Sequence, residues 1–211
     1  MNMPETAFSQ TRATGRPRNK ALDEAILKAT LELLAEVGYE GLALTEVARR
    51  AEATPPALYR RYSGKLELVS AALAYEIRTI PSECEDTGSF HGDLVALMSV
   101  IGATFTPFRV RVLTAALLAS QDHPQLREQI LIELESISDR EWSKLMKRAF
   151  SRGELSSDRV SSIIKSLPAA YITRHILYKG TEPSAQSIEA LVVEVIMPAI
   201  LKQDHEHKTM F

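Results

Sequence analysis

The sequence predicts an all-α protein of about nine helices, and three observations carry that prediction. Apolar residues recur at helical spacing through most of the chain. No stretch alternates apolar and polar residues in the manner of a half-buried strand. Prolines and glycines mark the ends of the periodic stretches, proline at starts and glycine just past ends. With 211 residues and 45 % hydrophobic content, the chain can bury a full core, in one large domain or two small ones.

Residues 1–18 read as a flexible basic arm. Met1 to Thr14 is polar and aperiodic, and Arg12, Arg16, Arg18 and Lys20 carry four positive charges with no acid among them. In Gly15-Arg16-Pro17-Arg18 the glycine and proline keep the backbone extended, so Arg16 and Arg18 suit a narrow minor groove. A solubilising tail accounts for the same residues. Asn19 can cap a first helix over 20–37, with Leu22, Ala25, Ile26, Ala29, Leu33 and Val37 on one face and Gly38 as a left-handed stop.

The next stretch, Gly38 to Lys65, organises the rest. Leu44, Val47, Ala48 and Ala51 form one apolar face, with Thr45, Glu46, Arg49 and Arg50 outside. Thr54 followed by Pro55 and Pro56 begins a second short helix to about Tyr62, because threonine can cap free amides and proline at the first position loses no bond. That helix must bury only Leu58 and Tyr62; Ala57, Tyr59, Arg60 and Arg61 face outward. From Arg49 to Lys65 there are five cations and one acid in a chain of net charge −2. Two short helices about a turn, the second narrow at its start and rich in aromatic and cationic groups, fit a helix-turn-helix over about 43–62 that reads a major groove. A solvated charged face on an ordinary helical bundle is the plainer explanation of the charges alone.

At these residues the chain resembles the N-terminal domain of TetR-family transcriptional regulators. The matching pieces are AILKATLELLAEVGYEGLALTEVARRA and TPPALYRRYSGKLELV, with Leu58-Tyr59, Tyr62 and Lys65 as the most specific marks. The resemblance implies a DNA-binding domain over 19–80, in which Thr45, Thr54, Pro55, Pro56, Ala57, Tyr59, Arg60, Tyr62 and Lys65 make up the DNA-facing set. It places Lys65 against a phosphate. Three residues depart from the family pattern: Ala43 stands where helix 2 usually has a serine or threonine cap, Glu52 replaces the turn glycine, and Arg61 replaces a common histidine. Glu46 sits where a capping box would place its acid, and Glu52 predicts a strained or reshaped turn.

A fourth helix runs from Ser63-Gly64-Lys65 towards Thr79. Ser-Gly-Lys is no phosphate loop, since the earlier glycine and the preceding strand are missing. Residues 80–92 (IPSECEDTGSFHG) break the composition and mark the start of a second domain over 81–203, followed by a tail over 204–211. Helices are expected over 93–104 and 108–120, parted at Pro107. Another is expected from Pro124 to about Arg152, with Leu126, Ile130, Leu134, Ile137, Trp142, Leu145, Met146 and Phe150 inward. One opens at Ser156 or Ser157 and ends at Tyr178, with Pro168 as a kink, and the last follows Pro183-Ser184 to about Leu201. This second part carries a net −3 and offers no second basic surface.

The last two helices show wide apolar faces, and Ile164, Leu167, Tyr171, Leu191 and Val195 are the expected contacts of a homodimer. The resemblance implies the same pairing, and with it a small-molecule effector pocket, for which Met98, Phe105, Phe108, Trp142, Met146, Tyr171 and His175 are the candidates. For any one of them, plain core packing is the simpler explanation. Arg174 and His175 stand in an otherwise apolar helix, either orienting an effector or crossing the dimer contact.

The expected function is a transcriptional regulator, most simply a repressor released from a palindromic double-stranded operator by its effector. The competing reading is a helical small-molecule binding protein whose head no longer reads DNA. No cofactor, metal site or catalytic constellation is expected: nucleophile, His-Glu-x-x-His and glycine-rich dinucleotide motifs are missing, and His205 and His207 lie in the terminal stretch. The single cysteine, Cys84, fits a reducing cytoplasm. No apolar run of about 18 residues or charged-then-apolar leader points to a membrane.

Overall fold

The computed structural model of the chain describes residues 20–80 and 84–209, without the side chains of Glu133, His207 and Thr209. The expected arm, with Arg16 and Arg18, and the Asn19 cap lie outside the described residues.

The described chain is helical throughout and holds no strand. Its elements are α1 (Lys20–Gly41), α2 (Leu44–Arg50), α3 (Pro55–Tyr59), α4 (Lys65–Arg78), α5 (Phe90–Thr104), α6 (Pro107–Ala119), α7 (Pro124–Ser151), α8 (Ser162–Lys179), α9 (Ala185–Leu191) and α10 (Met197–Thr209). A π-helical turn, Val192–Ile196, joins α9 to α10, so those two form one rod. Starts and stops follow the local chemistry. Gly38 breaks α1 with φ 71° and Gly180 ends α8 in the left-handed region. The hydroxyls of Ser89, Thr106, Ser161 and Ser184 each accept the backbone N–H three residues on, opening α5, α6, α8 and α9.

Two hydrophobic cores result. One joins α1–α4 to the middle of α6 and the first half of α7, through Val112, Ala116, Ala119, Leu126 and Ile130. α1 packs most extensively on α6, and α4 on α1 and α7. The composition break at 80–92 therefore does not separate two independent cores. The second core gathers Leu94, Leu97, Met98, Trp142, Leu145, Met146, Ile172, Val192 and Ile196 from α5, α7, α8 and the last rod. Each fully buried leucine or isoleucine in these sets contributes roughly 1.5–3 kcal/mol before ordering costs.

Four expectations change. α8 begins at Ser162, not at Ser156 or Ser157, because the buried Asp204 carboxylate takes up the backbone N–H groups of both serines (2.8 and 3.0 Å) and holds that segment irregular. For the same reason residues 204–209 are no frayed tail: α10 continues to Thr209. Phe150, expected inward, is exposed. α8 runs through Pro168 as one helix.

Asp93 fastens the segment before α5. It is fully buried and accepts from the Thr87 N–H and hydroxyl (both 2.8 Å) and from Arg152 Nη2 (2.7 Å). Burial pushes its carboxyl pKa up, but these bonds outweigh burial and hold it below the ordinary value. Among the described residues no single helix is long and apolar enough to cross a membrane.

Candidate functional site

α2 and α3 sit on α1 and α4 through Val47, Ala48 and Leu58, all essentially inaccessible. Leu58 alone among the residues of α3 is fully buried. Thr54, Pro55, Pro56, Tyr59 and Arg60 are exposed in one short run, Tyr59 at 54 %, and Thr45 is exposed on α2. Ala57 is half-buried, and Tyr62 packs against the first core while helical hydrogen bonds continue to it from Leu58. Most of the expected DNA-facing set is thus exposed.

The cations divide differently from expectation. Arg61 is bound to Asp23 of α1 and to the Ala57 carbonyl (2.9 Å), so it ties α3 to α1 rather than adding a free cation. Arg50 reaches Glu36 of α1 at 2.7 Å and Glu46 at 3.1 Å, while Arg49 holds Glu46 at 2.6 Å. Glu46 is consequently no capping-box acid. Its hydrogen bonds to Arg49 and Arg50 bring its pKa down to about 2, and α2 has no side-chain cap at Ala43. Lys65, expected at a phosphate, donates instead to the carbonyls of Tyr39 (2.7 Å) and Glu40 (3.1 Å) and lies 4.7 Å from the centre of the Tyr39 ring. A cation at carbonyls near the end of α1 complements the helix dipole. Arg60 and Lys65 form no ion pair among the described residues, and Arg60 is exposed. Periodicity cannot foresee this sorting, since every acid that claims a cation stands on α1 or one turn away.

Glu52 takes φ 51°, the sole left-handed non-glycine among the described residues. The turn keeps the shape a glycine would take without strain.

A cavity of about 620 Å³ opens between α4, α5, α6, α7 and α8. Leu73, Val112 and Ile130 of the first core and Leu97 and Trp142 of the second share its wall, so it lies on the seam between the cores. Of the expected pocket residues, Phe105 and Trp142 line it. Met98 and Met146 are sealed in the second core and Phe108 packs on the first. Tyr171 and His175, whose rings lie 6.2 Å apart, are half-buried outside the wall. Sequence reasoning missed Glu76, Arg109 and Glu141 in the wall. Arg109 Nε donates to Glu76 at 2.6 Å and Nη2 to the Thr79 hydroxyl at 3.0 Å, bridging α6 to the end of α4.

The expected dimer contacts also split. Ile164 and Leu191 turn into their own subunit's core, and Leu167 and Tyr171 are half-buried against it. Val195 is exposed, and Ile163, Leu177, Tyr178, Val193 and Leu201 accompany it as exposed apolar residues of the same two rods. At Ile163-Ile164 both neighbours are apolar, and packing turns Ile164 inward while Ile163 stays exposed.

Comparison with known proteins decides the family. Residues 26–72 match the family of bacterial regulatory proteins of the tetR family, and residues 84–195 match the tetracyclin repressor-like C-terminal domain. The chain belongs to the TetR family. This TetR-family protein is 28 % identical to an HTH-type transcriptional regulator of Mycobacterium tuberculosis over 177 residues, 84 % of this chain and 87 % of the other. It is 27 % identical to a DNA-binding transcriptional repressor TetR of Mycobacteroides abscessus, over 87 % of this chain and 96 % of that one. A TetR-family crystal structure from a Rhodococcus species superposes with a TM-score of 0.64 at 24 % identity, covering 85 % of this chain and 98 % of that one, and shows the same fold. The chain is a DNA-binding transcriptional regulator, and the match over residues 26–72 spans α2 and α3.

Proposed function

We propose that this TetR-family regulator is a homodimeric repressor that leaves a palindromic operator when a small molecule enters the cavity on the seam. The observation that carries this is the Glu76–Arg109 bridge: both residues stand in the cavity wall, and the bridge fixes the end of α4, whose other end follows α3 in the chain. A ligand that fits one spacing of the two heads better than the other shifts their population, by as much as its differential affinity and typically ~1–3 kcal/mol. Thr54, Pro55, Pro56 and Tyr59 would meet the major groove, with Arg60 on a phosphate, and Thr45 would add a contact from α2. Ile163, Leu177, Tyr178, Val193, Val195 and Leu201 would form the two-fold contact.

The test is selection of bound fragments from random duplex DNA by the purified protein, with affinity followed against salt. A palindrome with half-sites about one helical turn apart and a steep loss of affinity with salt is expected. Unchanged mobility on every duplex, alone and with apolar ligands, would leave a ligand-binding protein that no longer reads DNA.

A further inference from the structure

We infer that the cavity selects an apolar small molecule whose polar end donates a hydrogen bond, a hydroxyl or a protonated amine, and that it discriminates against carboxylates. This rests on the effector reading of the cavity and names the ligand's chemistry.

Two consecutive residues of α7, Glu141 and Trp142, stand in the cavity wall although only 5 % and 1 % exposed. Glu141 Oε1 is occupied by Arg140 Nε at 3.2 Å and Lys144 Nζ at 3.1 Å. Its other oxygen, Oε2, and the indole Nε1 of Trp142 are buried with no hydrogen-bond partner among the described residues. Leaving a carboxylate oxygen and an N–H buried and unpaired is costly, and native proteins satisfy nearly all such groups. Here two orphaned polar atoms lie side by side in sequence in the wall of an otherwise largely apolar space. That is the arrangement of a site completed by what it binds.

The sign of the missing partner follows from the other charges of the wall. Arg109 is held by Glu76 at 2.6 Å and Lys165 by Asp139 at 2.7 Å, while Arg174 lies over the exposed Tyr178 ring at 5.0 Å. Arg174 is thus the one cation of the wall without an acid partner among the described residues, and a carboxylate brought to the Glu141–Trp142 end would meet Glu141 as a like charge. A hydroxyl can donate to Glu141 Oε2 or accept from Trp142 Nε1, and an ammonium can only donate.

Trp142 is the single tryptophan of the chain, so its emission reports directly on the cavity. The full-length protein is titrated with 1-decanol, decylamine and decanoate, three probes with one apolar chain, each below its micelle concentration. Saturable change is expected with the alcohol and the amine, and at least about tenfold weaker binding of decanoate. In Glu141→Gln the amide can turn a donor towards the ligand, and the three affinities should converge to within about threefold. Decanoate binding as tightly as the other two, or an unchanged order in Glu141→Gln, would overturn the inference while leaving the cavity as an effector site. No saturable change with any probe would overturn the effector cavity itself, and the inference with it. Circular dichroism checks the fold of the variant; if it does not fold, the order of the three probes on the unmodified protein decides alone.

Discussion

Glu52 sits in the helix-turn-helix at φ 51°, where an L side chain crowds its own backbone. That conformation costs about 1–2 kcal/mol for a residue other than glycine, and glycine would return part of the gain as lost chain entropy. Glu52→Gly is expected to stabilise the protein by about 0.5–1 kcal/mol and raise Tm by a few degrees, read by a thermal melt. A lower Tm would show the turn to be held by something other than tolerance of strain. The arginines just past α3 differ in kind although they are neighbours. Arg61 is 13 % exposed at its side chain and bound to Asp23, whereas Arg60 is exposed. Tyr59→Ala should weaken operator binding at least tenfold with Tm unchanged, while Arg61→Ala should lower Tm first. Footprint titration alongside melting separates the two; equal effects on both readouts would refute the division between presented and structural residues.

At the scale of elements, α3 is too short to be stable by itself and stands only because Leu58 is buried beneath it and Arg61 ties it to α1. The last turns of α10, beyond the buried Ile200, are fastened in another way, by the Asp204 carboxylate. Burial pushes the Asp204 pKa up, but the Ser156 hydroxyl and N–H, the Lys208 charge and the Ser157 N–H together hold it below its usual value of 3.8. A depressed folded pKa means that the stabilisation is complete above about pH 4 and is lost as pH falls through the folded value. Asp204→Ala should cost about 1–3 kcal/mol in urea unfolding at pH 7, and much less near pH 2. A cost independent of pH would show that the carboxylate's charge is not what holds α10.

For the whole molecule, the exposed apolar residues of α8 and the last rod form a face that no part of the same chain covers among the described residues. Leu177→Glu in that face should shift the protein to monomer in sedimentation and reduce operator affinity by two orders of magnitude or about that, since a single head loses the gain of linked binding. A Leu177→Glu dimer of normal affinity would move the interface elsewhere. The cavity is a property of this scale too, since its wall takes residues from both cores, and neither half of the chain encloses it alone.

The sequence by itself determined the helices, their order and the helix-turn-helix. Spacing, Thr54-Pro55-Pro56 and the glycine stops act within a few residues, and the family motif lies in one unbroken run. It also determined that Tyr59 and Arg60 face outward, because Leu58 leaves them no other side. The tertiary structure decided which charges are free and which apolar residues are sealed. Arg61 finds Asp23, Lys65 finds the carbonyls of Tyr39 and Glu40, and Asp204 finds Ser156 only after distant helices meet. Met98 and Met146 went to the core and Glu141 to the cavity wall for the same reason. Burial and ion pairing belong to surfaces brought together from far along the chain, and a periodic pattern specifies a face without specifying what that face will meet.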